Sequence, residues 1–123
     1  MKTALVVDDE PLIRRQVAET LAFYGFEEVL EAENGKAALD LATARRPLLI
    51  VMDVSMPVMD GITAAEKIGK VVEAPIVLLT GVAKQITKSK YPIDGVLRAP
   101  AEEYLEKPVE PEELLNVVAT FLG

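Results

Sequence analysis

Three carboxylates, a hydroxyl and an ammonium each follow a short apolar run in this chain. Leu5-Val6-Val7 ends in Asp8-Asp9, Leu49-Ile50-Val51-Met52 in Asp53, Val77-Leu78-Leu79 in Thr80-Gly81, and Tyr104-Leu105-Glu106 in Lys107-Pro108. If the runs are parallel neighbours, all of these groups converge on one edge. Clustered carboxylates repel: one like-charge pair at about 4 Å costs roughly 4 kcal/mol at an effective dielectric of about 20. A divalent cation relieves that strain, and oxygen-only ligands select a hard ion such as Mg²⁺, with Mn²⁺ able to substitute. Lys107 supplies a second counter-charge, Thr80 a hydrogen-bond donor, and backbone N–H groups after Asp53 and Thr80 could bind an incoming anion. Such a set suits phosphoryl transfer, where positioning and neutralisation of oxygen charge dominate and a carboxylate can be the nucleophile. Taken singly, each residue has a plainer reading. Asp8 and Asp9 could simply favour the start of a helix, Thr80 could be an ordinary strand residue, and Lys107 could be a solvated lysine.

The elements that must position these groups are legible in the hydrophobic pattern. Ala4 through Val7, Leu48 through Met52 and Ile76 through Leu79 are continuous and rich in Val, Ile and Leu, and Val29-Leu30 is a shorter run. Strands buried on both faces of a parallel sheet read this way, whereas half-exposed strands alternate. Between the runs lie segments of helical period. Ile13, Val17 and Leu21 follow Pro11, a residue favoured in the first helical turn, and end at Gly25. Ala38, Leu41 and Ala42 follow Asn34-Gly35 and stop before Pro47, and Ile62, Ala65 and Ile68 follow Gly61. Leu114, Val117, Val118 and Phe121 trace one face behind Pro111. Alternating strands and helices with short connections predict βαβ units, a parallel sheet and helices on both faces. The reactive site of such a sheet lies at the carboxyl ends of the strands, near a topological switch point. Asp60-Gly61 reads as a turn into a helix.

Composition narrows the chemistry further. A chain of 123 residues fits one domain over residues 1–123 with a single core, and no output domain is expected within it. Thirteen basic residues against twenty acidic ones give a net charge of −7, a poor surface for nucleic acid. The absence of Cys and His removes thiolate and imidazole nucleophiles and metal sites. The first apolar run is too short for a signal peptide or a membrane span, so a cytoplasmic location without membrane contact is expected.

The strings VVDDEP, MDVSMPVMDG, LLTG and YLEKP, in this order, resemble the signature set of response-regulator receiver domains of the CheY-like superfamily. The resemblance covers essentially the whole chain, and the D-x-x-M-P-x-M-D-G string from Asp53 to Gly61 is its strongest element. It implies a flavodoxin-like, doubly wound, five-stranded sheet of order 2-1-3-4-5. It also implies a phosphoacceptor switch in a two-component phosphorelay, in which Asp53 takes a phosphoryl group from a histidine kinase or a His-containing phosphotransfer protein. Carried over by position, Asp9, Asp53 and the backbone carbonyl of Ser55 would bind Mg²⁺ directly, and Asp8 would act through bound water. Lys107 would contact the phosphoryl group and Thr80 would hydrogen-bond it, with Tyr104 turning inward behind Thr80 as the switch. A cis Lys107–Pro108 bond is also implied. The expected state is a monomer or weak dimer with an unidentified downstream protein target and no turnover substrate.

One stretch departs from the family pattern. Lys107 lies 27 positions after Thr80, several more than receivers usually have, and Pro92 and Pro100 interrupt the stretch. Residues 81–103 are therefore expected to hold a fourth helix that is shortened, displaced or disordered, with a possible helical patch at Ile93, Val96 and Leu97. Lys84, Lys88 and Lys90 there read either as a solvated loop or as a remodelled partner surface. Two other functions remain open from the sequence: a phosphorylation-independent binding adaptor, and a Mg²⁺-dependent phosphatase with an aspartyl nucleophile. Against the phosphatase, Ser55 stands where a D-x-D motif would place its second acid.

Overall fold

The computed structural model describes residues 2–81 and 101–123. Five strands, β1 (Thr3–Val7), β2 (Glu28–Ala32), β3 (Leu49–Asp53), β4 (Ile76–Thr80) and β5 (Glu103–Glu106), form one sheet in the order β2-β1-β3-β4-β5, every pairing parallel. Helices α1 (Pro11–Tyr24), α2 (Gly35–Arg45), α3 (Gly61–Gly69) and α4 (Pro111–Leu122) pack on its two faces. The expected fold is therefore the observed one.

The continuous apolar runs are explained by two separate cores. On one face Leu5, Val7, Ile50, Met52 and Leu78 meet Ala38 and Ala42 of α2 and Ala64, Ala65 and Ile68 of α3. On the other, Ala4, Val6, Leu49, Val51, Val77 and Leu79 meet Val17 and Leu21 of α1 and Leu114 and Val118 of α4. Alternate side chains serve opposite faces, so the central strands have no polar side to show. The helix starts follow the sequence signals. Asn34 caps α2 by accepting from the Ala37 N–H at 2.8 Å, Asp60 caps α3 through the Thr63 N–H at 2.8 Å, and Pro11 and Pro111 open α1 and α4.

Strand limits shift slightly from the sequence reading. Leu48 is exposed and precedes β3, while β2 extends well beyond Val29-Leu30 because it is an edge strand whose flanking glutamates are held by arginines. The expectation for residues 81–103 lies mostly outside the described residues. Gly81 follows β4 in a turn and Glu103 opens β5, while Lys84, Lys88, Lys90, Pro92, Ile93, Val96, Leu97 and Pro100 fall outside. Among the described residues, no helix is long and apolar enough to cross a membrane.

Candidate functional site

The sheet order reverses at β1, which has β2 on one side and β3 on the other. A crevice opens at the carboxyl ends of the strands at such a point. Asp53 is the last residue of β3, and Asp8 follows the last residue of β1; the preceding residues Val7 and Met52 are register partners, so the two acids stand side by side. Thr80 ends the next strand, β4. Asp8, Asp53 and Thr80 are only 1%, 4% and 4% exposed.

Lys107 follows β5, and its backbone N–H donates to the Thr80 carbonyl at 2.8 Å, fixing where its side chain starts. From there the ammonium lies 3.0 Å from Asp8 Oδ2 and 3.2 Å from Asp53 Oδ1. The Lys107–Pro108 peptide is cis, as the resemblance implied.

Asp8 is held at every polar atom. Its N–H donates to the Ala32 carbonyl at 3.1 Å, and its carbonyl accepts from Arg14 Nη1 at 2.8 Å. Its Oδ1 accepts from the Glu10 N–H at 2.9 Å, and its Oδ2 accepts from Lys107. The Ser55 backbone helps to hold the Asp53 carboxyl down. Behind Asp53, Gly61 packs so closely that a Cβ on it would stand 2.1 Å from the Asp53 carbonyl oxygen.

Burial sets the proton affinities. It pushes the Asp53 carboxyl above its ordinary 3.8; the Lys107 ammonium pulls it back down, and the neighbouring Asp8 carboxylate pushes it further up. Burial alone would lower Lys107, but its hydrogen bond to Asp8 and the fields of Asp53 and Asp8 outweigh this and hold it above 10.5. One fixed ammonium thus faces a site of several carboxylates, which leaves negative charge for a cation to balance.

Asp8, Asp9 and Glu10 each present a carboxylate oxygen, all within 4.8 Å of one another. With the Asp53 carboxylate beside Asp8, the donors are all oxygen, the set that suits Mg²⁺. Sequence reasoning passed over Glu10 and Arg14. The signal for Glu10 was the third consecutive acid in Asp8-Asp9-Glu10; Arg14 left none, since its contacts form only in the fold. Asp9 and Ser55 are exposed at the mouth. Tyr104 stands opposite Leu78 in the β4–β5 pairing, half-buried against the core layer under α2 and α3.

A family model for the response regulator receiver domain matches residues 4–119. The chain is 38% identical over 117 residues to the transcriptional regulatory protein PdtaR of Mycobacterium tuberculosis, covering 95% of this chain and 55% of that protein. It thus spans about half the length of that relative. It is 34% identical to the chemotaxis protein CheY of Bacillus subtilis over 93% of this chain and 92% of that one. Among solved structures, the receiver domain of the sensor histidine kinase PA1611 from Pseudomonas aeruginosa superposes with a TM-score of 0.83 at 28% identity, covering 98% of this chain and 96% of that one. That structure carries a magnesium ion coordinated in its active-site cleft.

Proposed function

This chain belongs to the response-regulator receiver domain family, and we propose that Asp53 is its phosphoacceptor. Receiver domains of two-component response regulators act as signalling switches rather than turnover enzymes. The observation that carries the assignment is Lys107, whose ammonium touches both Asp8 and Asp53, two buried carboxylates at the switch point of the sheet.

In the proposed reaction, a carboxylate oxygen of Asp53 attacks the phosphorus of a phosphohistidine on a kinase or phosphotransfer protein. The P–N bond breaks as the new P–O bond forms, the electron pair returns to the imidazole, and Asp53 becomes an acyl phosphate. Lys107 lies within reach of Asp53 and neutralises the incoming phosphoryl oxygens. The Thr80 hydroxyl and backbone N–H groups beyond Asp53 donate hydrogen bonds to them. Asp9, Asp53 and the Ser55 carbonyl would hold Mg²⁺, with Asp8 acting through bound water. When bound, the ion neutralises charge on the transferring group. Asp8, with both carboxylate oxygens already engaged, suits that indirect role.

The charge gained at Asp53 would then bias the packing around Thr80 and Tyr104, and with it the surface offered to a downstream protein. Residues 1–123 would act as one receiver domain, monomeric or weakly dimeric, with no role in nucleic-acid binding. The proposed setting is the cytoplasm.

Incubation with Mg²⁺ and acetyl phosphate, or with a phosphorylated histidine protein, tests the assignment. An alkali-labile phosphate is expected on the native chain and is expected to be absent from Asp53→Asn. Lack of any Asp53-dependent phosphate with either donor would falsify the assignment.

A further inference from the structure

Asp8, Asp9 and Glu10 form a short acidic turn between β1 and α1, and like charges so close together tend to spread apart unless the backbone is held. The α1 N-cap position, Glu10, makes no side-chain capping bond, so the usual device for fixing such a turn is missing. A side chain four residues further along takes its place. Arg14, partly buried on α1, donates from Nη1 to the Asp8 carbonyl at 2.8 Å and from Nε to Glu31 Oε1 of β2 at 3.0 Å. The planar guanidinium makes both bonds at once, which a lysine ammonium on its single flexible stem does less well.

We propose that Arg14 is a positioning residue for the divalent-cation site, holding the Asp8-Asp9-Glu10 turn in ligating geometry by clamping the Asp8 carbonyl to Glu31. This rests on the cation-site reading given under the proposed function. The Asp8 carbonyl belongs to the peptide that leads into Asp9, so fixing it limits rotation of the Asp9 backbone. It also keeps the Glu10 N–H over Asp8 Oδ1, where it donates at 2.9 Å. Arg14 touches neither Asp53 nor Lys107 in the described contacts, so it acts through the turn alone. Residues that support metal ligands in this way commonly change affinity by about tenfold or more when removed.

The experiment compares the native chain with Arg14→Met, Arg14→Lys and Arg45→Met. The last breaks a similar arginine–glutamate pair, to Glu28 at the far end of β2. Mg²⁺ affinity is measured by calorimetry, and amide hydrogen exchange is followed in metal-free buffer at Glu10 and at Val6 in the core of β1. Arg14→Met is expected to weaken Mg²⁺ binding about tenfold and to speed exchange at Glu10 far more than at Val6. Arg14→Lys, which retains the charge and one contact at a time, is expected to fall between, and Arg45→Met to match the native chain. Equal Mg²⁺ affinity in native and Arg14→Met proteins, or parallel changes at Glu10 and Val6, would overturn the positioning role while leaving the cation site intact. Failure of the native chain itself to bind Mg²⁺ would overturn both. If Arg14→Met does not fold, Arg14→Lys decides: native affinity in that variant overturns the proposal.

Discussion

Strand β2 carries one glutamate at its start, paired to an arginine of α2, and another near its end, paired to Arg14 and, at 3.7 Å, to Arg15 of α1. At the amino end Glu28 meets Arg45 from the last turn of α2, with the side chains 33% and 45% exposed. Toward the carboxyl end Glu31 meets Arg14, which also holds the backbone of Asp8, itself 1% exposed. The residue types are the same, but the settings differ. At the amino end water can replace either partner, so the pair constrains little. At the carboxyl end the Arg14–Glu31 pair is less exposed, at 19% and 27%, and it leads into the covered carboxylates of Asp8 and Asp53, so each contact fixes the position of the next. The contrast shows that the site owes its character to burial and mutual contact more than to the number of its charges.

Removing the Lys107 ammonium is the strongest way to break that contrast. Lys107→Met leaves Asp8 and Asp53 side by side without their shared cation. In metal-free buffer we expect a loss of about 3 kcal/mol, the lower end for breaking a buried pair, read from urea unfolding. Millimolar Mg²⁺ should restore much of it, because a ligand that binds only the folded state stabilises that state. The pH dependence has a definite sign. The folded-state pKa of Lys107 is raised, so its contribution is complete below about 10.5 and is lost as pH rises through the higher folded value. Native protein should therefore lose stability in that alkaline window relative to Lys107→Met. A deficit no larger than that of a surface pair would erase the difference between the two ends.

Gly61→Ala tests the same end by shape alone. The new methyl would meet the Asp53 carbonyl oxygen at 2.1 Å, so the start of α3 must move away from the end of β3. About 2 kcal/mol of destabilisation is expected from such overpacking, together with slower phosphorylation from acetyl phosphate. Native rates with reduced stability would show that the pocket tolerates displacement of its main carboxylate.

Asp53→Asn should move stability the other way. Burial and the Asp8 carboxylate raise the folded-state pKa of Asp53 above 3.8, so its ionised form weakens the fold, and the native chain recovers stability as pH falls through that folded pKa. The amide removes the charge, and a modest rise in the metal-free unfolding midpoint near pH 7 is expected. That rise should shrink on adding Mg²⁺, which binds more tightly to, and so stabilises more, the chain that retains the carboxylate.

Much of this geometry was legible in the sequence. β1, β3 and β4 are buried on both faces and must be apolar at nearly every position, so their ends, and with them Asp8, Asp53 and Thr80, could be located by inspection. β2 was read short because an edge strand needs fewer apolar residues, and its glutamates satisfy arginines that are remote in the chain. Gly61 was legible as a turn residue, yet the close approach that requires a glycine involves a carbonyl eight positions away and appears only when β3 and α3 are packed together. The Arg14 clamp escaped for the same reason. A single arginine on a helix has many potential partners, and only the fold brings the Asp8 carbonyl and Glu31 to one guanidinium.

The smallest expected effect sharpens the comparison from its other side. Arg45→Met removes the exposed partner of Glu28 and should cost no more than about 0.5 kcal/mol at low salt. That small difference should vanish near 1 M NaCl, where the screening length is about 3 Å. The deficit of Lys107→Met should largely survive the same salt, since interactions of carboxylates that are almost wholly covered are screened much less than those of an exposed pair. Urea unfolding of both variants at low and high salt therefore separates the two kinds of charge by their response as well as their size. A salt-insensitive loss above about 1 kcal/mol in Arg45→Met would place the amino-end pair outside the range of exposed pairs. Burial would then no longer account for the difference between the two ends of the sheet.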